Sequence, residues 1–348
     1  MFWKLYENSR KQDMMELSQL LTAFLSYAAE QSGSSLDEAE LRRALPQSAP
    51  WFLEQLCGQK ENRKKLQQAV AELFQLPPAR RQAIAQAAAH DMGFDRTTTP
   101  SRFFFSVPTL PAEEQLIVKE FFNYFYEVVF HRKDGPSING HSCEATRDQF
   151  SSAYYQANGG LTHVCPICLH RKSNAIKEND LEHYFPKAVY PPLILHPSNL
   201  IFICRDCNET YKGVCDALQG GKKPLDRVFR PYRDTVKERA EVAFRREANT
   251  DWVKLLAADG SADEQERIEN FDLQYKLEKR WSSDIAGIFE QIRTLCAGWG
   301  LPKEETRKKL REKCEDLQAL SGFPDKFVES AYMKWLCETM FDAFYDNL

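Results

Sequence analysis

The chain has no run of eighteen uninterrupted apolar residues, the length a bilayer-spanning helix needs. Its nearest approach, residues 116–130, is broken by Lys119, Glu120, Asn123 and Glu127, so no membrane partner is expected. The opening residues, MFWKLYENSRKQD, lack the apolar stretch and cleavage site of a secretion signal. Internal repeats and low-complexity tracts are missing too, which sets aside repeat arrays and disordered tails. Nor is there a large charge of one sign: a net charge of −4 over 348 residues excludes a generic polyanion binder. Hydrophobic content of 43% with 28% charged residues is that of an ordinary globular protein, long enough for two or three compact units.

Cysteine, by contrast, is plentiful. Six of the ten (Cys57, Cys143, Cys215, Cys296, Cys314 and Cys337) are scattered singly, a pattern that fits a reducing cytoplasm better than a disulfide scaffold. The other four form two Cys-x-x-Cys pairs, Cys165/Cys168 and Cys204/Cys207, with thirty-five residues between the pairs. Four thiolates in two knuckles are what a tetrahedral zinc ion requires, and a site filled by four sulfurs is closed and structural. His163 and His170 flank the first pair, but the four cysteines already suffice.

Around this frame the chain reads as mainly α-helical with a small α+β insert. Apolar spacing of three and four predicts a helix over 11–31, with shorter pieces over 36–45, 51–57, 62–74 and 78–92. These make an N-terminal helical domain, 1–100, whose Leu/Ala/Phe stripe is core. The proline-bearing break at 95–111 marks its end. An aromatic-rich helix over 111–131 leads into the second unit, 101–235, and its phenylalanines read as packing. A loop follows at 131–140, then a short helix at 148–156. The third unit, 236–348, holds a hairpin (240–244 with 252–256), one long charged helix over 262–295, and helices over 303–320 and 325–346. Its charge runs read as solvated helix faces.

Within the cysteine frame, residues 199–204 (NLIFIC) and 180–185 (DLEHYF) read as strands, and residues after Cys207 enter a short helix. Between residues 162 and 233 there are eleven Lys and Arg against seven Asp and Glu, a local excess of +4 that leaves about −8 elsewhere. A basic face on acidic flanks suits a phosphate-bearing partner.

The pattern Glu182-His183, fifteen residues, Asn199, eight residues, Asn208-x-x-x-Lys212-Gly213 inside two Cys-x-x-Cys knuckles resembles the HNH endonuclease family. The resemblance covers about fifty residues from Cys165 to Gly213. It implies a ββα-metal core stapled by zinc and flanked by helical regions. It also implies metal-dependent hydrolysis of DNA, with His183, Asn199 and Asn208 standing at the three family positions. The last of these is His in many members and Asn in others; the acid before the first His is commonly Asp and here is Glu182.

The chemistry needs a group to take a proton from water and positive charge to meet the leaving oxygen. His183, neutral near pH 7, suits the first task. Glu182 and Asn208 would offer oxygens to Mg²⁺ or Mn²⁺, with Asp180 in reserve. Asn199 would lock the loop and orient His183, and Lys212, near a helix N-terminus, with Lys187 would reach phosphate. His196, before Pro197, marks a turn. Family members resembling this chain act as effectors of bacterial anti-phage defence, some beside an ATPase as in the Septu type, so such a partner and that setting are expected. RNA as substrate, or an inactive zinc-stabilised module for binding nucleic acid or assembly, are the alternatives. A lone centre of this kind nicks one strand, so an oligomer is the route to a double-strand break.

Overall fold

Buried apolar positions repeat along residues 11–30 at helical spacing, and α1 (Lys11–Glu30) packs that stripe against α5 (Pro78–Asp91). The computed structural model describes residues 2, 4–57, 63–131, 136–138, 141–159, 164–171, 180–247, 250–320 and 325–348, with backbone alone at Val129, Ser137, His141 and Asp180. Between α1 and α5 lie α2 (Glu38–Ala44), α3 (Ala49–Cys57) and α4 (Lys64–Gln75). The Asp37 carboxylate starts α2 by accepting from the Glu40 N–H at 2.9 Å, and Pro78 opens α5, where a missing N–H costs nothing.

The aromatic helix α6 (Ala112–Tyr124) continues as a π-helical turn, Phe125–Phe130. It packs on α4, and Phe121 stacks on Phe24 of α1 with ring centroids 5.3 Å apart. It also meets the 191–193 turn of the cysteine frame, as α1 and α5 do, so the N-terminal helices pack directly on the candidate site. The 95–111 break is tied in as well: the Ser198 hydroxyl donates to the Asp95 carboxylate at 3.0 Å.

Residues 131–140, expected as loop, include β1 (Ser137–Ile138), which pairs with β2 (His141–Ser142). α7 (Arg147–Ala157) opens on a reciprocal cap between Thr146 and Gln149. β3 (Asp180–His183) and β4 (Leu200–Ile203) form an antiparallel ladder that sets Glu182 opposite Ile201 and His183 opposite Leu200. A seven-residue π-helical segment, Asp206–Lys212, follows β4, beginning before Cys207 rather than after it. At the 220–221 turn, Gly221 has φ +76°, and a Cβ there would lie 2.8 Å from the Phe105 carbonyl oxygen, so only glycine fits.

The hairpin β5 (Ala240–Glu247) and β6 (Thr250–Ala257) is longer than the sequence indicates. The single helix expected over 262–295 is two, α8 (Ala262–Tyr275) and α9 (Leu277–Trp299). Lys276 breaks them at φ 53°, and the Asp272 carboxylate accepts from the Glu278 N–H at 2.8 Å to start the second. The break turns α9 so that Leu277 and Trp281 are buried, a tertiary effect with no Gly or Pro to announce it. α10 (Lys303–Ala319), α11 (Lys326–Trp335) and α12 (Phe341–Tyr345) complete the chain. Buried apolar side chains from Phe2 to Phe344 form one contiguous cluster through all three segments. Among the described residues, no helix is long and apolar enough to cross a membrane.

Candidate functional site

The two cysteine pairs meet. All four Sγ atoms lie within 4.8 Å of one another, with Cys165 and Cys207 at 3.8 Å and Cys168 and Cys204 at 3.7 Å. A tetrahedron with arms of about 2.3 Å has edges of about 3.8 Å, so the spacing is that of a zinc tetrathiolate and not of disulfides. The four could hold a metal ion such as zinc. The first knuckle is shaped by Leu169 at φ 63° and by the Cys165 N–H donating to the His170 carbonyl at 3.0 Å. Burial and three sulfur neighbours push the Cys207 thiol well up, so four thiolates persist together only with a cation among them. The Cys204 N–H donates to Cys165 Sγ at 3.4 Å.

Two groups missed in the sequence complete this centre, both on α9. Arg280, 6% exposed, donates from Nη1 to Cys207 Sγ at 3.1 Å and stacks 4.3 Å from the Tyr211 ring centroid. Burial opposes its charge, but the neighbouring cysteines outweigh that and raise its pKa. Trp281 Nε1 donates to the Cys168 carbonyl at 3.1 Å. One helix therefore grips both knuckles.

β3 and β4 leave this centre together. At the end of β3, the His183 ring is buried and donates from Nε2 to the Ile194 carbonyl at 2.8 Å. Burial chiefly, with the charges of Lys187 and Lys212, lowers its pKa to about 3, so the ring is neutral across the physiological range. With Nε2 protonated, the basic lone pair is on Nδ1. Tyr126 of the π-helical turn packs edge-on against the imidazole, centroids 4.8 Å apart, a contact no local pattern in the sequence signals.

Asn199 is fully buried. Its Oδ1 accepts from the Phe185 N–H at 2.7 Å, and its Nδ2 donates to the Phe185 and Leu193 carbonyls, each at 3.1 Å. The Tyr184 N–H donates to the Asn199 carbonyl at 2.9 Å. The side chain therefore ties the chain after β3 to the turn before β4, which carries the Ile194 acceptor of His183.

The remaining sequence-derived candidates divide. Lys212 is 2% exposed and stands at the last position of the 206–212 segment, at its C-terminal end and not near a helix N-terminus. Its ammonium is paired with the Glu182 carboxylate and donates to the His183 carbonyl at 2.7 Å, so it does not present itself to a phosphate at the surface. One of the Glu182 oxygens expected to receive a divalent ion, Oε1, already faces the Lys212 ammonium, and with that lysine in place the donor set does not fit Mg²⁺ or Mn²⁺. Asn208 is half-buried, its carbonyl accepting from the Gly213 N–H at 2.9 Å. Lys187 bonds to Glu127 at 2.9 Å and lies 4.7 Å over the Tyr126 ring, beside His183. The Asp180 side chain and His163 lie outside the described residues.

His170 pairs with Asp284 of α9 at 3.1 Å rather than with a sulfur. His196 heads the 197–199 turn, fully buried, its Nδ1 accepting from the Ser198 N–H at 3.2 Å. A cleft of about 1020 Å³ between the first knuckle, α9 and α11 is lined by Cys168 and His170 but by none of Glu182, His183, Asn199 or Asn208. No family model, no curated protein and no solved structure matches this chain.

Proposed function

We propose that this chain is an endonuclease of the HNH type that hydrolyses phosphodiester bonds of DNA, with His183 as the general base. The observation that carries the reading is the His183 imidazole itself. It is neutral, pinned through Nε2 to the Ile194 carbonyl, and set on a hairpin whose ends converge on four cysteines.

The Ile194 carbonyl fixes the tautomer, so Nδ1 would take the proton from an attacking water while the water oxygen bonds to phosphorus. The bond from phosphorus to the ester oxygen then breaks, and that oxygen leaves with a proton from solvent. As Nδ1 gains its proton, Nε2–H to Ile194 stabilises the imidazolium. A pKa of about 3 makes a weak base, but an anionic phosphate beside the ring raises it towards the working range. Lys187, over Tyr126 and within reach of that ring, is the side chain best placed to meet the phosphate. Asn199 positions the loop and does not touch substrate.

A second reading, an inactive zinc-stabilised nucleic-acid-binding module, is favoured by one observation, the closed Glu182–Lys212 pair. One experiment separates the two. Purified protein is incubated with supercoiled plasmid and with total RNA, in Mg²⁺, Mn²⁺ or EDTA, beside His183→Ala. The nuclease reading expects nicked plasmid and a loss of about 10²-fold or more in the variant. RNA cleavage with intact plasmid would change the substrate, and equal cleavage by both proteins would remove His183 from the chemistry.

A further inference from the structure

We propose that Lys212 is the resident cation of the His183 centre: its ammonium holds the Glu182 carboxylate in place of a divalent ion, which binds there only when the lysine is removed. The bearing of this on catalysis rests on the nuclease reading; the binding claim does not.

A lysine is rarely buried unless its charge is matched, because desolvating an ammonium is costly. The Lys212 side chain has no exposed surface, and Glu182 keeps 14% of its own. The two charges meet beneath the end of β3, thirty residues apart in sequence. The same ammonium donates to the His183 carbonyl at 2.7 Å. That carbonyl lies one residue beyond Glu182, and the next amide, that of Tyr184, is already committed to Asn199. The lysine therefore closes two acceptors on consecutive residues of the strand that carries the base.

Its approach is fixed by the chain. The 206–212 segment ends at Gly213, whose φ of +48° turns the backbone away while its N–H bonds to the Asn208 carbonyl. Lys212 is thus held against β3 by its own helical turn and is not a mobile surface arm. A dication approaching Glu182 would meet a fixed like charge and a carboxylate already neutralised, and both effects oppose binding. Positive charge is still supplied within one residue of the imidazole, by an ammonium bonded to the His183 carbonyl itself.

The test is binding, independent of cleavage. Protein carrying one equivalent of Zn²⁺ is titrated with Mn²⁺, followed by electron paramagnetic resonance and calorimetry. Wild type is expected to show no tight site. Lys212→Met gains one site, at least about tenfold tighter than any in wild type, because the repulsion is gone and the carboxylate is released. Adding Glu182→Gln to that variant abolishes the site again. Wild type binding one Mn²⁺ as tightly as Lys212→Met would overturn the proposal. Because removing a buried lysine can compromise folding, a second measurement uses wild type alone: Mg²⁺ is titrated while the side-chain signals of Lys212 and Glu182 are followed by NMR. Unshifted signals support the proposal, and saturable shifts in both overturn it. Should the nuclease reading fail, cleavage is absent while the Mn²⁺ contrast between the proteins persists.

Discussion

Two centres sit at opposite ends of the same short hairpin, and they are prepared to different degrees. At one end, four sulfurs already stand near the corners of a zinc tetrahedron, and Arg280 adds a positive charge against Cys207. At the other, the acid expected to bind metal is paired with Lys212, and the His183 ring is kept neutral by its burial while a backbone carbonyl fixes its tautomer. The difference teaches how charge is settled in a buried site. Four thiolates carry more negative charge than one arginine can answer, so the sulfur centre calls for an ion. The Glu182 carboxylate is met by the Lys212 ammonium, a charge that the chain itself supplies.

The strongest way to break this contrast is to keep a metal ion out of the sulfur centre. Structural zinc sites carry on the order of 10 kcal/mol of binding free energy, comparable with the stability of a whole domain. Chelation, or Cys165→Ala, is therefore expected to melt the β3–β4 hairpin and release α9, seen as loss of amide protection around Trp281. The same treatment of a chain whose fold did not depend on the ion would leave that protection intact.

Acid separates the centres next. His183 and His196 have folded pKa values of about 3 and 4 against about 6.5 in the unfolded chain. Between those values the unfolded state binds protons that the native state refuses, so stability falls as pH drops below about 6.5. Each ring is expected to cost roughly 2 kcal/mol between pH 7.5 and 5, opposed in part by His90 and His170, whose pKa values are raised. Denaturant melts of wild type and His196→Phe over that range should show the variant with the shallower slope.

Asn199→Ala removes three hydrogen bonds inside the loop and strands two carbonyls and an amide, an expected loss of about 3 kcal/mol by denaturant melt. Smaller still is Arg280→Lys, which keeps the charge but not the flat contact on Tyr211. Zinc affinity measured by competition with a chelator should fall about tenfold, and by no more than that if charge dominates.

The parts of both centres that depend on spacing were legible in the sequence. Cys-x-x-Cys fixes a knuckle, so the four sulfurs meeting follows from two local motifs and one loop. The apolar, β-branched stretch at 200–203 fixed one strand and thereby placed its partner, Asp180–His183. What could not be read was long-range charge pairing. Nothing local to Lys212 says that it turns inward to Glu182, and nothing local to Arg280 says that α9 crosses the sulfurs. That crossing depends on the break at Lys276, where helical periodicity runs unbroken on both sides. The phenylalanines of the aromatic helix were read as packing, but nothing in the sequence set Tyr126 against the His183 ring.

The most direct test of the central claim is to follow the His183 ring nitrogens by NMR from pH 5 to 8, in zinc-loaded protein and after chelation. A clamp that presents a neutral imidazole predicts a single neutral form, protonated at Nε2, throughout that range in the loaded protein and its loss once the ion is gone. A ring that titrates near pH 6.5 in the loaded protein, or is protonated at Nδ1, would contradict it.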